Sequence, residues 1–308
     1  MHKLSTLCLV IPYFGKWPFW MPFFLQSCRN NHSIDWLIYT DCGALQNCPD
    51  NVTVHQISFE AYCELVSTRL NIYFKPQNPY KLCDVKPALG YIHAAALTHY
   101  DFWAFGDIDV VYGDLRHFFT ESKLQQKDLF STHARRVSGH LCLIRNNSEM
   151  NSAFMRVKHW QALLSSPQHM AFDEKAFSKL FLRHKNALWL RKLAMMLDAW
   201  LTRGEFVEAF TTPNAKIFWL DGSNNFPHTW FWKNGKVTNN QSVNKEFPYF
   251  HFMKWKQNWA HLNTVALDLA HNPSIQSFSM HIGGINYRLI NSEVTITLGE
   301  SDLDNVIF

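Results

Sequence analysis

Short apolar runs that alternate with helical patterns are the feature of this sequence that most constrains its fold. Residues 7–11 are apolar and are closed by Pro-Tyr-Phe-Gly, which predicts a buried strand that runs into a turn. Residues 35–41 and 52–57 predict two further strands, and Pro18 within residues 17–29 favours a helix between the first two strands. A strand, a helix and a strand in this order form a βαβ unit, so we expect an α/β fold with a mostly parallel central sheet flanked by helices.

The same alternation continues for most of the chain. Further helices are predicted over 85–100, 150–164, 172–184 and 188–203. Further strands are predicted over 102–105, 128–132, 141–144, 217–220 and 247–252, the last two in a loop-rich, aromatic region. No internal repeat or low-complexity linker divides the chain. We therefore expect one main domain, residues 1–262, and a loop-rich C-terminal extension, residues 263–308, whose role the sequence leaves open.

The composition excludes several classes of protein. Of the 308 residues 47% are hydrophobic and only 18% are charged, which suits a packed core and excludes a disordered chain or a coiled coil. The formal net charge is +4 without a run of basic residues, which argues against nucleic acid as the main partner. The seven cysteines are odd in number and contain no CxxC pair, so neither a disulfide framework nor a structural zinc site is expected.

The location predicted from the sequence is cytoplasmic. The apolar stretch at residues 7–11 is too short for a signal peptide or an anchor, and no run of 18 apolar residues occurs. A peripheral contact with the inner face of a membrane is compatible with the mild positive charge and with the aromatic group in residues 17–24, although core packing is the first explanation for those aromatic residues.

The segment Tyr-Asp-Phe-Trp-Ala-Phe-Gly-Asp-Ile-Asp at residues 100–109 is the most informative in the chain. An apolar strand leads directly to Asp107 and Asp109. In an extended chain residues i and i+2 point to the same side, so both carboxylates can face one divalent cation, and such oxygen ligands suit Mg²⁺ or Mn²⁺. The alternative is a solvated turn whose aspartates cap the neighbouring backbone.

Three blocks of residues carry a resemblance to a known family. They are an early Ile-Pro-Tyr-Phe-Gly strand at 11–15, Tyr-Lys-Leu-Cys-Asp-Val-Lys-Pro at 80–87, and the aspartate-containing block at 103–114. On these residues the chain resembles the nucleotide-sugar-dependent glycosyltransferases of the GT-A (Rossmann-like) fold, most closely the uncharacterised bacterial sugar transferases of polysaccharide gene clusters. The resemblance covers roughly residues 5–260. In that family a DxD motif binds a divalent metal and the diphosphate of the donor.

The resemblance also implies where the donor binds. Pro12, Tyr13 and Phe14 would line the nucleoside pocket, and Asp41 would approach the base or the ribose. The alternatives for these four residues are a Pro/Gly turn and a helix-capping aspartate.

Two further segments are candidates for contacts with the diphosphate and the sugar. The lysines and the aspartate of the second block suit these groups, because lysine supplies a point charge and a carboxylate accepts from hydroxyl groups, although a solvated loop has the same composition. The residues of this block are Lys81, Asp84 and Lys86. Gly139 and His140 precede a strand at the position that borders the sugar in similar transferases, although His140 can equally be a buried structural residue.

Catalysis and the completion of the metal shell are assigned to two other segments. Asp173 and Glu174 stand where related transferases have an acidic pair that faces the reacting sugar, although acids are favoured at a helix start in any case. The segment Tyr-Phe-His-Phe-Met-Lys-Trp-Lys at 249–256 resembles the C-terminal element of retaining GT-A enzymes. The resemblance implies that His251 is a metal ligand and that Lys254 or Lys256 contacts the diphosphate.

These observations together predict an enzyme. We expect a metal-dependent, retaining glycosyltransferase that moves a sugar from a UDP-sugar to a bacterial polysaccharide or a lipid-linked glycan, with Mn²⁺ or Mg²⁺ as cofactor. The alternative stereochemistry is inversion, with Asp173 or Glu174 as the base. The enzymatic alternative is a nucleotidyltransferase or phosphohydrolase that uses the same carboxylates. The alternative from another class is a non-catalytic carbohydrate-binding protein.

Overall fold

The computed structural model of this chain describes residues 4–252, apart from positions 19, 46, 212–216 and 243, together with the strands at 275–281, 284–289 and 293–297. Among the described residues, no helix is both long and apolar enough to cross a bilayer.

A central sheet of seven strands organises the fold. Its strands are β1 Leu7–Pro12, β2 Ile34–Thr40, β3 Val52–Gln56, β4 Phe102–Gly106, β6 Leu129–Ser131, β7 Leu141–Arg145 and β8 Gly204–Phe206, while β5 Val110–Tyr112 lies outside it. The order is β3-β2-β1-β4-β7-β6-β8. Strands β3, β2, β1 and β4 are parallel, β6 and β8 are parallel, and only β7 opposes its neighbours β4 and β6. The prediction of an α/β fold with a mostly parallel central sheet is confirmed.

Both faces of this sheet are buried, which explains why its strands are continuously apolar. Along β1, Cys8 and Val10 pack into one hydrophobic cluster, while Leu7, Leu9 and Ile11 pack into the other on the opposite face. Strands that helices cover on both faces cannot alternate polar and apolar residues. Only the strand ends and the loops that follow them are therefore left for chemistry.

Short helices cover the two faces. Those of the described residues are α1 Met21–Asn30, α2 Phe59–Leu70, α3 Leu82–Val85, α4 Leu89–Ile92, α5 Leu115–Phe118, α6 Glu121–Gln126, α7 Ser148–Asn151, α8 Trp160–Ser165, α9 Ser178–Phe181 and α10 Leu188–Leu197. The predicted βαβ unit is present, but α1 begins at Met21 and it is Pro22, not Pro18, that occupies its first turn. Within the aromatic group at residues 17–24, Trp20, Phe23 and Phe24 are buried in the core.

The single helix predicted over 85–100 is wrong, because the chain there forms α3, a 3₁₀ turn at Lys86–Ala88 and α4, followed by turns. Pro87 has no N–H to donate within a helix. Gly90 lies against Trp103, and a Cβ atom added at Gly90 would lie 2.2 Å from Trp103 Cε2. The chain therefore bends around a buried tryptophan of the central sheet.

The helices predicted over 150–164, 172–184 and 188–203 are also divided. The first comprises α7, a 3₁₀ turn at Ala153–Arg156 and α8, and the second comprises a π-helical turn at Phe172–Phe177 and α9. The third comprises α10 and a 3₁₀ turn at Ala199–Thr202. Gly204, predicted to end that helix, is the first residue of β8. Apolar spacing gave the helical type correctly, but not the breaks.

The remaining strands form two smaller sheets. Strand β11 Tyr249–His251, within the strand predicted over 247–252, pairs antiparallel with β5. The strand predicted over 217–220 is wrong, since those residues form a loop and a turn. A second sheet contains β9 Thr229–Lys233, β10 Lys236–Asn239, β12 Ile275–His281, β13 Gly284–Leu289 and β14 Glu293–Thr297 in the order β10-β9-β12-β13-β14. The pairing of β9 with β12 joins residues on the two sides of the predicted boundary at 262.

Candidate active site

A cleft with a volume of about 540 Å³ opens at the carboxyl ends of β1 and β4. Parallel α/β sheets generally bind ligands at this edge. The sequence-predicted residues that line the cleft are Pro12, Tyr13, Phe14, Lys86, Asp107, Asp109, Gly139, His140, Asp173, Glu174 and His251. Residues 12–14 and 107–109 reach the cleft because they directly follow β1 and β4, whereas the other segments are brought to it by the tertiary fold.

Asp107 and Asp109 both line the cleft, although the chain bends at residues 108–109 instead of continuing extended. The side chain of Ile108 between them is buried. The backbone carbonyl oxygen of Ile108 accepts a hydrogen bond from the Trp20 indole at 3.0 Å. Strand β5 follows directly and pairs with β11, with Val110 opposite His251. This register brings His251 Nε2 to 3.4 Å from Asp109 Oδ1.

Two imidazoles meet beside the carboxylates. The rings of His140 and His251 lie 4.0 Å apart between centroids, and one ligand atom each from Asp107, His140 and His251 lie within 4.8 Å of one another. Burial, followed by the neighbouring His251, lowers the pKa of His140 well below its ordinary value, so this imidazole is neutral, the form that binds metal. From its sequence position His140 is predicted either to border the sugar or to be a buried structural residue. Nothing local in the sequence indicates that it faces His251.

Lys86 supplies a cation fixed inside the cleft. Its Nζ contacts Asp107 Oδ1 and donates to the Gly139 carbonyl oxygen at 3.0 Å. Burial on its own lowers the pKa of this ammonium group, but the Asp107 carboxylate overcomes that effect and raises the pKa above its ordinary value. The side chain therefore stays protonated and is held in place by two acceptors.

Asp173 and Glu174 lie in the π-helical turn at Phe172–Phe177. Such turns often occur at functional sites. Asp173 is 3% exposed, and within the described part of the chain its Oδ1 has no hydrogen-bond partner. Burial raises the pKa of Asp173 to about 7, although the Lys86 charge opposes the shift. Glu174 is more open, and its Oε2 lies 3.4 Å from the Arg136 guanidinium.

Asp173→Asn is expected to remove a pH dependence from the stability of the chain. Because the pKa of Asp173 rises from 3.8 unfolded to about 7 folded, its contribution to stability is complete below pH 3.8 and is lost as the pH rises through 7. The free energy of unfolding then changes with pH by at most about 1.4 kcal/mol per pH unit for one proton. Urea unfolding between pH 5 and 8 measures it, with exposed Asp50→Asn as the control. Parallel stability curves for the wild type and Asp173→Asn would contradict the assignment.

Two glycines keep the cleft open. A Cβ atom at Gly106 would lie 2.8 Å from the His140 carbonyl oxygen, so the glycine lets β4 and the residue before β7 approach closely. A Cβ atom at Gly139 would lie 3.3 Å from Asp173 Oδ2 and 3.7 Å from Lys86 Nζ. The glycine thus leaves room between an acid and a cation, where a substrate group can lie against the backbone.

Three predicted residues lie away from the cleft lining. Asp41 is exposed and accepts a hydrogen bond from the Gly15 N–H at 2.7 Å, so it fixes the loop after β1. Lys81 and Asp84 are 1% and 0% exposed and form an ion pair of 2.8 Å with each other. This burial gives them a structural role in place of the predicted contact with the donor. The predicted contacts of Lys254 and Lys256 fall outside the described residues.

Asp84 nevertheless supports the site. Its two oxygens accept the backbone N–H groups of Met170 at 2.7 Å and Phe172 at 2.8 Å. These bonds hold the chain immediately before Asp173. No local pattern in the sequence indicates this role, because Asp84 and residues 170–172 are far apart along the chain.

Residues 9–275 match the model of a family described as a family of unknown function, DUF6625. The chain belongs to this family. A search of curated proteins gave no match.

Solved structures of LgtC are also similar to this member of DUF6625. A structure of an active-site mutant of LgtC has 10% identity and a TM-score of 0.31, and the match covers 55% of this chain and 71% of that chain. A structure of the galactosyltransferase LgtC with donor and acceptor sugar analogs has 9% identity and a TM-score of 0.31, over 68% of this chain and 90% of that chain.

Proposed function

We propose that this chain is a metal-dependent glycosyltransferase of the GT-A type. It transfers a sugar from a nucleotide sugar, UDP-linked, to a polysaccharide or a lipid-linked glycan. One observation carries the proposal: two carboxylates, two imidazoles and a buried lysine meet in one cleft at the carboxyl ends of parallel strands. The motifs that resemble those of nucleotide-sugar transferases supply four of these five groups, Asp107, Asp109, Lys86 and His251.

The groups in the cleft fit a divalent cation. Asp107, His140 and His251 offer ligand atoms within 4.8 Å of one another, and Asp109 lies beside His251. A set of carboxylate oxygens with imidazole nitrogens suits Mn²⁺ better than Mg²⁺, which prefers oxygen alone. A bound cation of this kind supplies positive charge against the diphosphate that departs from the sugar.

The remaining cleft residues suit the donor. Lys86 can donate to a diphosphate oxygen, since its ammonium group lies inside the cleft, and its present acceptors hold it in place. Tyr13 and Phe14 follow β1 in the cleft wall, and the Tyr13 ring stacks on Trp17 with 5.9 Å between centroids. Flat aromatic walls of this kind suit a nucleoside base.

The acidic pair suits the reacting sugar. The acceptor hydroxyl oxygen bonds to the anomeric carbon, the bond from that carbon to the diphosphate breaks, and the hydroxyl proton passes to the departing diphosphate oxygen. Asp173 and Glu174 lie across Gly139 from Lys86 and position the sugar and acceptor by accepting from their hydroxyl groups.

Lys86→Met is expected to weaken UDP binding in the presence of Mn²⁺ by about 1.5–3 kcal/mol, the range for a charge-assisted hydrogen bond. Methionine keeps the length of the side chain and removes its charge. Calorimetric titration of UDP measures the loss, with the exposed lysine variant Lys75→Met as a matched control. Unchanged affinity in Lys86→Met would remove this residue from the donor site.

The reaction is expected to retain the anomeric configuration. The His-Phe and Lys-Trp pairs at residues 251–255 resemble those of retaining transferases, in which the departing diphosphate itself takes the proton. NMR of the anomeric proton in donor and product measures the outcome, and an inverted product would overturn the roles given to Asp173 and Glu174.

His251→Ala is expected to reduce turnover strongly, with partial recovery at high Mn²⁺ concentration.

A thermal-shift panel of nucleotide sugars with and without Mn²⁺ tests the proposed function directly, because a ligand that binds only the folded state raises its apparent stability. A shift that requires both a nucleotide sugar and the metal is expected. Product analysis follows: transfer of the sugar supports the proposal, whereas nucleotidyl transfer or release of phosphate would assign the same carboxylates to the alternative enzymes. Metal-independent binding of saccharides alone would indicate a carbohydrate-binding protein.

A further inference from the structure

Helix α10, Leu188–Leu197, turns an apolar face to the solvent. Trp189 is 70% exposed, Leu193 48%, Met196 84% and Leu197 80%. The spacing i, i+4, i+7, i+8 places these four side chains on one face of the helix. In a water-soluble protein such a stripe normally faces the core, so its exposure calls for a partner.

The segment of the chain that contains this apolar face is strongly cationic. Residues 175–197 contain six Lys and Arg residues and no Asp or Glu, whereas the net charge of the whole chain is only +4. The cations of this segment are Lys175, Lys179, Arg183, Lys185, Arg191 and Lys192. Of the six, Arg191 is half-buried and the others are exposed. The acids at its borders are Asp198, 3.6 Å from Arg183, and Glu174, which Arg136 contacts.

We propose that α10 and the cations of residues 175–197 dock the protein on a bilayer that contains anionic phospholipids. An apolar helix face with Lys and Arg around it lies in the plane of a membrane, with the apolar side chains below the headgroups and the cations among the phosphates. The helix has ten residues and therefore about 15 Å of length, too short to cross the hydrocarbon core. A protein partner would need carboxylates placed opposite these separate cations. The phosphates of an anionic bilayer instead present negative charge along the whole segment, which favours a membrane as the partner.

The docking surface adjoins the cleft. Lys185 interacts electrostatically with Glu174, which lines the cleft. The segment begins at Lys175, directly after the acidic pair. Docking would therefore place the cleft near the lipid surface. The proposal does not depend on the transferase chemistry, since vesicle binding is measured without donor, metal or turnover.

Flotation of the full chain with lipid vesicles tests the proposal. With vesicles of phosphatidylcholine that contain about 30% phosphatidylglycerol, affinity at least about tenfold higher than with pure phosphatidylcholine is expected, and it should fall as salt rises. The triple variant Trp189→Ser, Met196→Ser, Leu197→Ser should lose at least about tenfold of this affinity. The side chains are exposed, so the melting temperature should stay unchanged. The variant Lys185→Gln with Lys192→Gln, which changes two exposed cations, should lose most of the preference for anionic lipid.

A matched control removes equally exposed apolar side chains elsewhere. Leu4, Tyr73 and Phe218 are 56%, 72% and 59% exposed, and their triple serine variant should bind vesicles like the wild type. Absence of vesicle binding by the wild type would overturn the proposal, as would equal losses in the two triple variants. A dimer that the α10 variant dissociates, without vesicle binding, would assign the face to a second copy and also overturn it. Donor binding is measured in the same variants. An α10 variant that no longer floats with vesicles but still binds the donor in the presence of metal would show that membrane docking and the proposed function are tested separately.

Discussion

Asp109→Asn is expected to abolish sugar transfer and the metal-dependent binding of UDP. As a proposed ligand of the cation, Asp109 should matter more than the outer partners of metal ligands, whose loss already costs about 10–100-fold in affinity or activity. We therefore expect a loss of at least about 100-fold in both quantities. Titration of Mn²⁺ and UDP by calorimetry, together with turnover of the donor, measures the effect.

The fold of the Asp109→Asn variant should survive. Asp109 is buried beside His251, but its backbone oxygen, not its carboxylate, accepts the hydrogen bond from the Phe252 N–H at 2.9 Å. Asparagine keeps the shape and removes the charge. Asp50→Asn changes an exposed carboxylate in the same way and serves as the control. Wild-type metal affinity and turnover in a folded Asp107→Asn, Asp109→Asn double variant would refute the metal assignment.

Lys81→Met is expected to lower the free energy of unfolding by about 3–5 kcal/mol, the usual cost of leaving a buried charge without its partner. Lys81 Nζ donates to Asp84 Oδ2 at 2.8 Å and to the carbonyl oxygens of Leu163 and Gln168 at 2.9 Å each. Without this cation the enclosed Asp84 side chain loses its ion-pair partner, and the carbonyl oxygens of Leu163 and Gln168 lose their donor. Urea unfolding near neutral pH measures the loss.

The comparison with Lys86→Met makes this prediction specific. Lys81→Met should reduce stability and leave the donor affinity of the folded protein nearly unchanged, whereas Lys86→Met should reduce donor affinity. The exposed variant Lys75→Met should do neither. Lost donor affinity with unchanged stability in Lys81→Met would return this lysine to the donor site.

These two lysines show where reasoning from sequence ends. Both lie in one short block, and both are suitable for a diphosphate by their chemistry. The chain turns through α3 between them, so one ammonium group enters the core and the other enters the cleft. The difference depends on which neighbours enclose each side chain. These neighbours are residues 163–172 for Lys81 and Asp84 and residue 139 for Lys86, and all of them are distant in sequence.

The helices show a similar division. Apolar periodicity predicted helical structure over 85–100 and 172–184, but the breaks follow from contacts that periodicity does not contain. The Trp103 ring lies so close to residue 90 that only glycine fits there. The Asp84 carboxylate accepts a hydrogen bond from the backbone at the start of the π-helical turn. For α10 the sequence predicts a helix over 188–203, and only the structure shows that its apolar face is exposed.

The sequence by itself determined the α/β class, the strands β1 to β4 and the position of Asp107 and Asp109 at the end of a buried strand. These features depend on local patterns, namely apolar runs, the turn residues after them and the acids that follow directly. Only the tertiary structure decided that His140 and His251 meet, that Asp173 is enclosed beside Lys86, and that Lys81 is structural. Each of these depends on segments that are far apart in the chain, and the free energy of such contacts comes from burial and charge, which a linear pattern does not specify.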